Sequence, residues 1–203
     1  ASIEAALSEY YDVEHVRING QLNALSSEEP ADNKVSQPVI TNKYKAIIIA
    51  KPDSAFAKDE KDKFVIDQFI MRGGKVLWLI DPVYATMDSL RMKENSVALA
   101  NDFNLDDMLF NYGVRLNPTL VVDINSLPIP VVVDQKGNQK LIPWLFFPVI
   151  MPGSDNPVVR NLNAIKTEFV SNIDTVETPG VHKTILLTTS RYSRVLNVPV
   201  IVS

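Results

Sequence analysis

At 203 residues the chain is long enough for one sizeable domain, or one domain with an appendage, and its 46% hydrophobic content excludes global disorder. A net charge of -4 with no basic stripe argues against a nucleic-acid partner, because nothing is there to displace phosphate counterions. The lack of any cysteine excludes disulfides, thiolate metal sites and a cysteine nucleophile.

Residues 2–11 place Ile3, Ala6, Leu7 and Tyr10 on one face and predict a helix, with a strand following over 13–18. The polar stretch 19–43, including Ser26-Ser27-Glu28-Glu29-Pro30, is long for a loop in a compact domain and is expected to be partly mobile. Residues 44–82 carry the strongest signal. The runs 46–50 and 76–80 are apolar throughout, the habit of strands covered on both faces in a parallel sheet. Between them, Asp59 and Glu60 suit the positive end of a helix whose stripe is Val65, Ile66, Phe69 and Ile70. Phe64 and Met71 fall off that stripe, and Gly73-Gly74 ends the helix. The result is a right-handed βαβ unit.

Residues 82–103 read as a second long connection, suited to a lid or a partner contact. Asn104 and Asp107 have the spacing of a helix start, and Gly113 marks the stop. Residues 120–123 form a short strand ending in Asp123. Thereafter the character changes: 129–133 and 139–142 flank the turn 135–138 as a hairpin, and 164–170, 184–188 and 198–202 are strand-like. The division expected is one domain over 1–203, with an α/β core at 1–123 and a β-rich portion at 124–203. Both ends read as cuts through a longer protein, since the chain opens in a helical pattern and closes on an apolar run.

Open parallel sheets bind ligands beyond the carboxyl ends of their strands. Lys51, Asp53, Asp81 and Asp123 stand at those ends and are the candidate ligand contacts. Asp81 and Asp123 would form a general acid/base pair if their strands shared one sheet, whereas an aspartate there ordinarily caps the following turn. Lys51 is either a cation for an anionic ligand or a solvated lysine. His15 and His182 have no second ligand at metal spacing, so no metal site is expected. Nucleophile and phosphate-loop motifs are absent, and Gly73-Gly74 precedes a strand rather than a helix. Arg191 and Arg194 flank Tyr192 as a small basic spot, which either holds a carboxylate or phosphate or, the preferred reading, is a solvated turn. The proline-rich apolar run 144–152, with Trp144, Phe146 and Phe147, is either core filling or a partner-binding strip.

Several segments carry a family likeness in order along the chain. They include 6–13 with 18–25, Ala46-Ile-Ile-Ile-Ala-Lys-Pro52, Gly73-Gly-Lys-Val-Leu-Trp-Leu-Ile-Asp81, Tyr112-Gly-Val-Arg-Leu-Asn-Pro118, Pro143-Trp144 with Phe147-Pro148, and Glu168-Phe-Val-Ser171. Together they resemble the gliding-motility-associated ABC-transporter auxiliary, substrate-binding-like protein of Bacteroidetes. The resemblance implies a periplasmic region tethered to the inner membrane through segments outside this sequence, with an ABC permease and ATPase as partners. It implies no cofactor and a fold related to the class I glutamine-amidotransferase-like sandwich, here truncated. The expected fold is therefore α/β, a mainly parallel sheet flanked by helices with a β-rich final third. The expected function is non-catalytic docking or ligand binding. The alternative is a hydrolase on carbohydrate or nucleotide using Asp81 and Asp123.

Overall fold

The apolar runs 46–50 and 76–80 do pair in parallel, over 46–50 and 75–79, but among the described residues these strands pair with no other. In the computed structural model, residues 3–29, 38–92, 95–134, 136–152 and 155–202 are described, and they form four helices and fifteen strands. The chain divides into two compact units, Ala1–Leu79 and Ile80–Ser203.

The first unit begins with α1 (Ile3–Ser8), shorter than the expected 2–11, and 13–18 takes no strand conformation. β-Branched residues favour a strand only where a partner and a surface are at hand. Part of the stretch expected to be loop is instead a ladder: β1 (Ser26–Glu29) pairs antiparallel with β2 (Val39–Asn42). The intervening residues 30–37 lie outside the described residues. Then come β3 (Ala46–Ala50), α2 (Lys61–Met71) and β4 (Lys75–Leu79), with β3 and β4 parallel in the register Ala46↔Lys75 to Ala50↔Leu79.

Helix α2 buries Val65, Ile66 and Phe69, as its apolar stripe requires, and leaves Phe64 and Met71 exposed. Gly73 takes a left-handed φ of 87° just past the helix, and its N–H returns to the Ile70 carbonyl at 2.8 Å. Gly74 is needed for a different reason. A Cβ there would sit 2.3 Å from Cε1 of the fully buried Phe69 ring. The bare backbone lets the helix close onto the start of β4.

The second unit is built from antiparallel pieces. β5 (Val83–Tyr84) and β6 (Ser96–Ala100) join β15 (Val200–Val202) in the order β15-β6-β5. α3 (Met87–Met92) lies between the first two. The 82–103 stretch is thus a sheet and a helix rather than a long lid. α4 (Asp106–Asn111) starts two residues after Asn104, without a side-chain cap. Asn104 is itself at φ 56°, its N–H held by the Asp102 carboxylate at 2.8 Å. β7 (Val114–Leu116) pairs with β12 (Ile173–Thr175), and β8 (Thr119–Val122) with β14 (Arg194–Asn197). β9 (Ser126–Val132) and the long β10 (Gln139–Pro152) form the expected hairpin, and β10 also pairs with β11 (Ile165–Lys166) and β13 (Leu187–Thr188). The core of this unit gathers Val83, Ala98, Leu120, Phe147, Phe169 and Val202.

The expected mainly parallel sheet flanked by helices, and with it the truncated amidotransferase-like sandwich, is not formed. β3 and β4 are the one parallel pair among the described residues, and every other ladder is antiparallel. Nor are β3 and β4 covered on both faces. Ile47, Ile49, Val76 and Trp78 are half-buried, whereas Ile48 and Leu77 are 46% and 52% exposed. An apolar run without alternation shows that polar residues are missing from both faces; it does not supply the elements that would cover them.

Candidate functional site

The strand ends named from sequence fall in different units: Lys51 and Asp53 in the first, Asp81 and Asp123 in the second. Lys51 leaves β3 with φ 44°, a left-handed conformation that is strained for a residue preceding proline. Its N–H donates to the Leu79 carbonyl at 2.8 Å, extending the parallel ladder by one bond. Asp53 is exposed and accepts a bond from the Ser54 hydroxyl at 3.3 Å. Asp81 is exposed, followed by the buried Pro82.

Asp123 differs in kind. It is 1% exposed. Its carboxylate accepts the Asn125 N–H at 2.9 Å, the Ser190 N–H at 2.8 Å and the Ser190 hydroxyl at 2.7 Å. The Ser190 oxygen accepts in turn from the Tyr192 N–H, and the Asp123 N–H donates to the Leu145 carbonyl at 3.0 Å. One side chain thus ties the end of β8 to the chain returning towards β14. Burial, the largest single influence, pushes the carboxyl pKa up, but the three hydrogen bonds together outweigh it and hold the value below the usual carboxylate range. Asp123 is a turn cap sealed from solvent, which removes the second acid that a paired-carboxylate hydrolase would need.

Two cavities bear on ligand binding. Beside Asp81, residues that include Ile80, Pro82, Phe103, Leu105 and Pro118 line a space of about 100 Å³ with Asp102 and Asp106 among its walls. That is below the roughly 300–1,000 Å³ of sites for drug-sized molecules. The other, about 350 Å³, is an open polar groove in the first unit, lined by Glu14, His15, Arg17, Gln21, Lys43 and Tyr44 among others. Part of its lining is already engaged: the Tyr44 hydroxyl donates to Glu14 at 2.9 Å and Lys43 to the Asn23 carbonyl at 2.9 Å. Burial, then the Glu14 carboxylate, raise the Tyr44 phenol above its usual value. His15 faces solvent, its Nε2 3.2 Å from Glu4 Oε1. No group of three or more His, Cys, Asp or Glu side chains among the described residues could hold a metal ion.

The apolar run 144–152 was open to two readings, and the strand separates them by position. Phe147 is buried at the centre of the core, edge-on to Phe169 with ring centroids 5.3 Å apart. Trp144 and Phe146 pack against the same cluster, 5.9 Å apart, and Phe146 lies 6.2 Å from Phe169. Phe147 is thus a core residue, while Trp144 and Phe146 are half-buried against that core. The exposed apolar surface lies further out along the same hairpin. Cross-strand partners share a face, so the register Pro143↔Pro128, Leu141↔Pro130 and Gln139↔Val132 collects five apolar residues on one side. All five are exposed, Leu141 at 66% and Val132 at 58%. Prolines two apart, at 128 and 130, are the sequence signal for this face.

A family model described as an ABC-type uncharacterized transport system matches residues 1–203. No curated protein and no solved structure matches the chain.

Proposed function

We propose a non-catalytic docking role for this chain, which belongs to the ABC-type uncharacterized transport system family as an auxiliary component. The family match over all 203 residues carries the reading. In this proposal the chain is the extracytoplasmic part of a transport complex, placed at the periplasmic face of the inner membrane. It works with the permease and ATPase subunits, in gliding motility or a related export process. Docking is favoured over trapping a solute because the cavity beside Asp81 is small, Asp123 is sealed into a turn, and the larger groove beside Tyr44 is open to solvent with Tyr44 and Lys43 already hydrogen-bonded to Glu14 and Asn23. Lys51, Asp53 and Asp81 stay in the proposal as exposed polar contacts for a partner or ligand at the strand ends. No helix among the described residues is long and apolar enough to cross a membrane, so any helical tether in this proposal belongs to other segments of the protein.

Co-purification tests the role directly. The full-length protein, extracted in mild detergent from its native membrane, is expected to bring down an ABC permease and its ATPase. Recovery of the protein alone, from membranes in which the permease is present, would count against docking.

A further inference from the structure

We propose that Asn19 is a site of spontaneous deamidation whose rate is held down by the carboxylate of Asp62. Asn19-Gly20 is the single Asn-Gly pair in the chain. In this reaction the backbone nitrogen of the following residue attacks the asparagine side-chain amide, and a following glycine leaves that approach unobstructed by a side chain. Asn19 is exposed, so water reaches the ring that the attack forms.

The local backbone explains why this pair stands here. Asn19 and Gly20 have φ 47° and 70°, and the Gln21 N–H donates to the Ile18 carbonyl at 2.9 Å. Two positive φ values closed by that bond make a type I′ turn, for which Asn-Gly is a favoured pair. The turn thus selects the dipeptide that is most open to the chemistry.

The restraint comes from helix α2. The Gly20 N–H donates to Asp62 Oδ1 at 2.7 Å, across 42 residues of chain. A Cβ on Gly20 would lie 3.6 Å from Lys61 Cδ, so the turn rests against the start of the helix. For reaction, the Gly20 nitrogen gives its proton to a solvent base and bonds to Asn19 Cγ, and the side-chain nitrogen leaves as ammonia. Water then opens the cyclic imide at either carbonyl, giving aspartate or isoaspartate, and nothing is oxidised or reduced. The bond to Asp62 opposes this in two ways. Its fixed negative charge disfavours the nitrogen anion, and swinging the nitrogen towards Cγ breaks a charge-assisted bond. In the isoaspartate product the backbone gains a methylene, which takes the Gly20 N–H out of register with Asp62. A new carboxylate also enters the stretch 14–24, which supplies most of the lining of the polar groove.

The experiment holds the folded 203-residue chain in warm, mildly alkaline buffer and follows peptides cut from it over time by chromatography with mass detection. Asn19 is expected to convert to aspartate and isoaspartate, and to do so faster in urea, where the bond to Asp62 is absent. Asp62→Ala should raise the folded-state rate by about fivefold, the effect of one hydrogen bond to a charged group discounted for its partly exposed setting. Asp62→Asn keeps the shape and an acceptor but not the charge, and should fall between. Asp59→Ala, which removes the neighbouring acid paired with Lys61, should match the parent. Asn125-Ser126, in the second unit, is the internal reference and should convert equally in every variant. The assignment is overturned if Asn19 converts no faster in urea than in the folded parent. It is also overturned if Asp62→Ala is no faster than the parent, or slower, which would make the carboxylate a promoting base. Equal acceleration by Asp59→Ala would overturn the role of the bond, and equal acceleration at Asn125 would assign the effect to lost folding.

Discussion

Asp123 shows how much one side chain can decide. A carboxylate at a strand end has the same identity in a sequence whether it waits for a ligand or caps a turn. Its three donors settle the matter here, and the consequence is measurable. Because the folded carboxyl releases its proton more readily than the unfolded one, its stabilisation is complete above the unfolded pKa of about 3.9 and is lost as pH falls through the lower folded value. Urea midpoints of the parent and of Asp123→Asn, followed from neutral pH into acid, are expected to converge as the pH drops. A constant gap between them would contradict the cap. Asp123→Ala should cost about 3 kcal/mol or more at neutral pH, since each orphaned buried donor costs about 1–3 kcal/mol. Gly74 makes a parallel case without charge. Gly74→Ala drives a methyl into the Phe69 ring and should lower stability by about 1–3 kcal/mol. Pairing it with Phe69→Leu should recover part of that loss, and purely additive losses would show that the ring is not the obstacle.

Among the elements, the βαβ unit and the hairpin were both legible, because each rests on a local pattern. α2 was readable from its stripe and its glycine stop, and the hairpin from two apolar runs around a turn. What surrounds them was not. Strand β8 was a candidate for the parallel sheet, yet it pairs antiparallel with β14, more than seventy residues later in the chain. No local pattern encodes a partner at that separation. The fate of β10 was equally a matter of packing: its inner half sends Phe147 into the core and its outer half stands clear. Phe147→Ala should therefore cost about 3–5 kcal/mol in a denaturant melt, as a core truncation does. If it left the melt unchanged while abolishing partner binding, Phe147 would belong to an interface instead.

At the scale of the whole molecule, the chain separates into two compact units at residues 79/80, where the contacts divide, while the 123/124 change of character is one of composition, in the density of prolines and β-branched residues. The 79/80 division places Lys51 and Asp53 in one unit and Asp81 and Asp123 in the other, so the strand-end edge does not fall within a single unit. The functional assignment rests on the chain as a whole, because the family match extends over all 203 residues while no local motif names a reaction. Permease capture from native membranes is the prediction that belongs to this scale.

By itself, the sequence determined the parallel β3–α2–β4 unit, the β9–β10 hairpin, the lack of cysteine chemistry and membership of a transport family. These depend on periodicity, turn residues and composition, which act over a few residues or over the entire chain. Tertiary structure alone decided that β3 and β4 remain a two-stranded pair, that Asp123 is a sealed cap, and that the aromatics at 144–147 go inward while the proline face goes outward. Burial and strand pairing at long separation are properties of the assembled chain. An aspartate or an apolar run takes its role from neighbours that its own stretch of sequence does not specify.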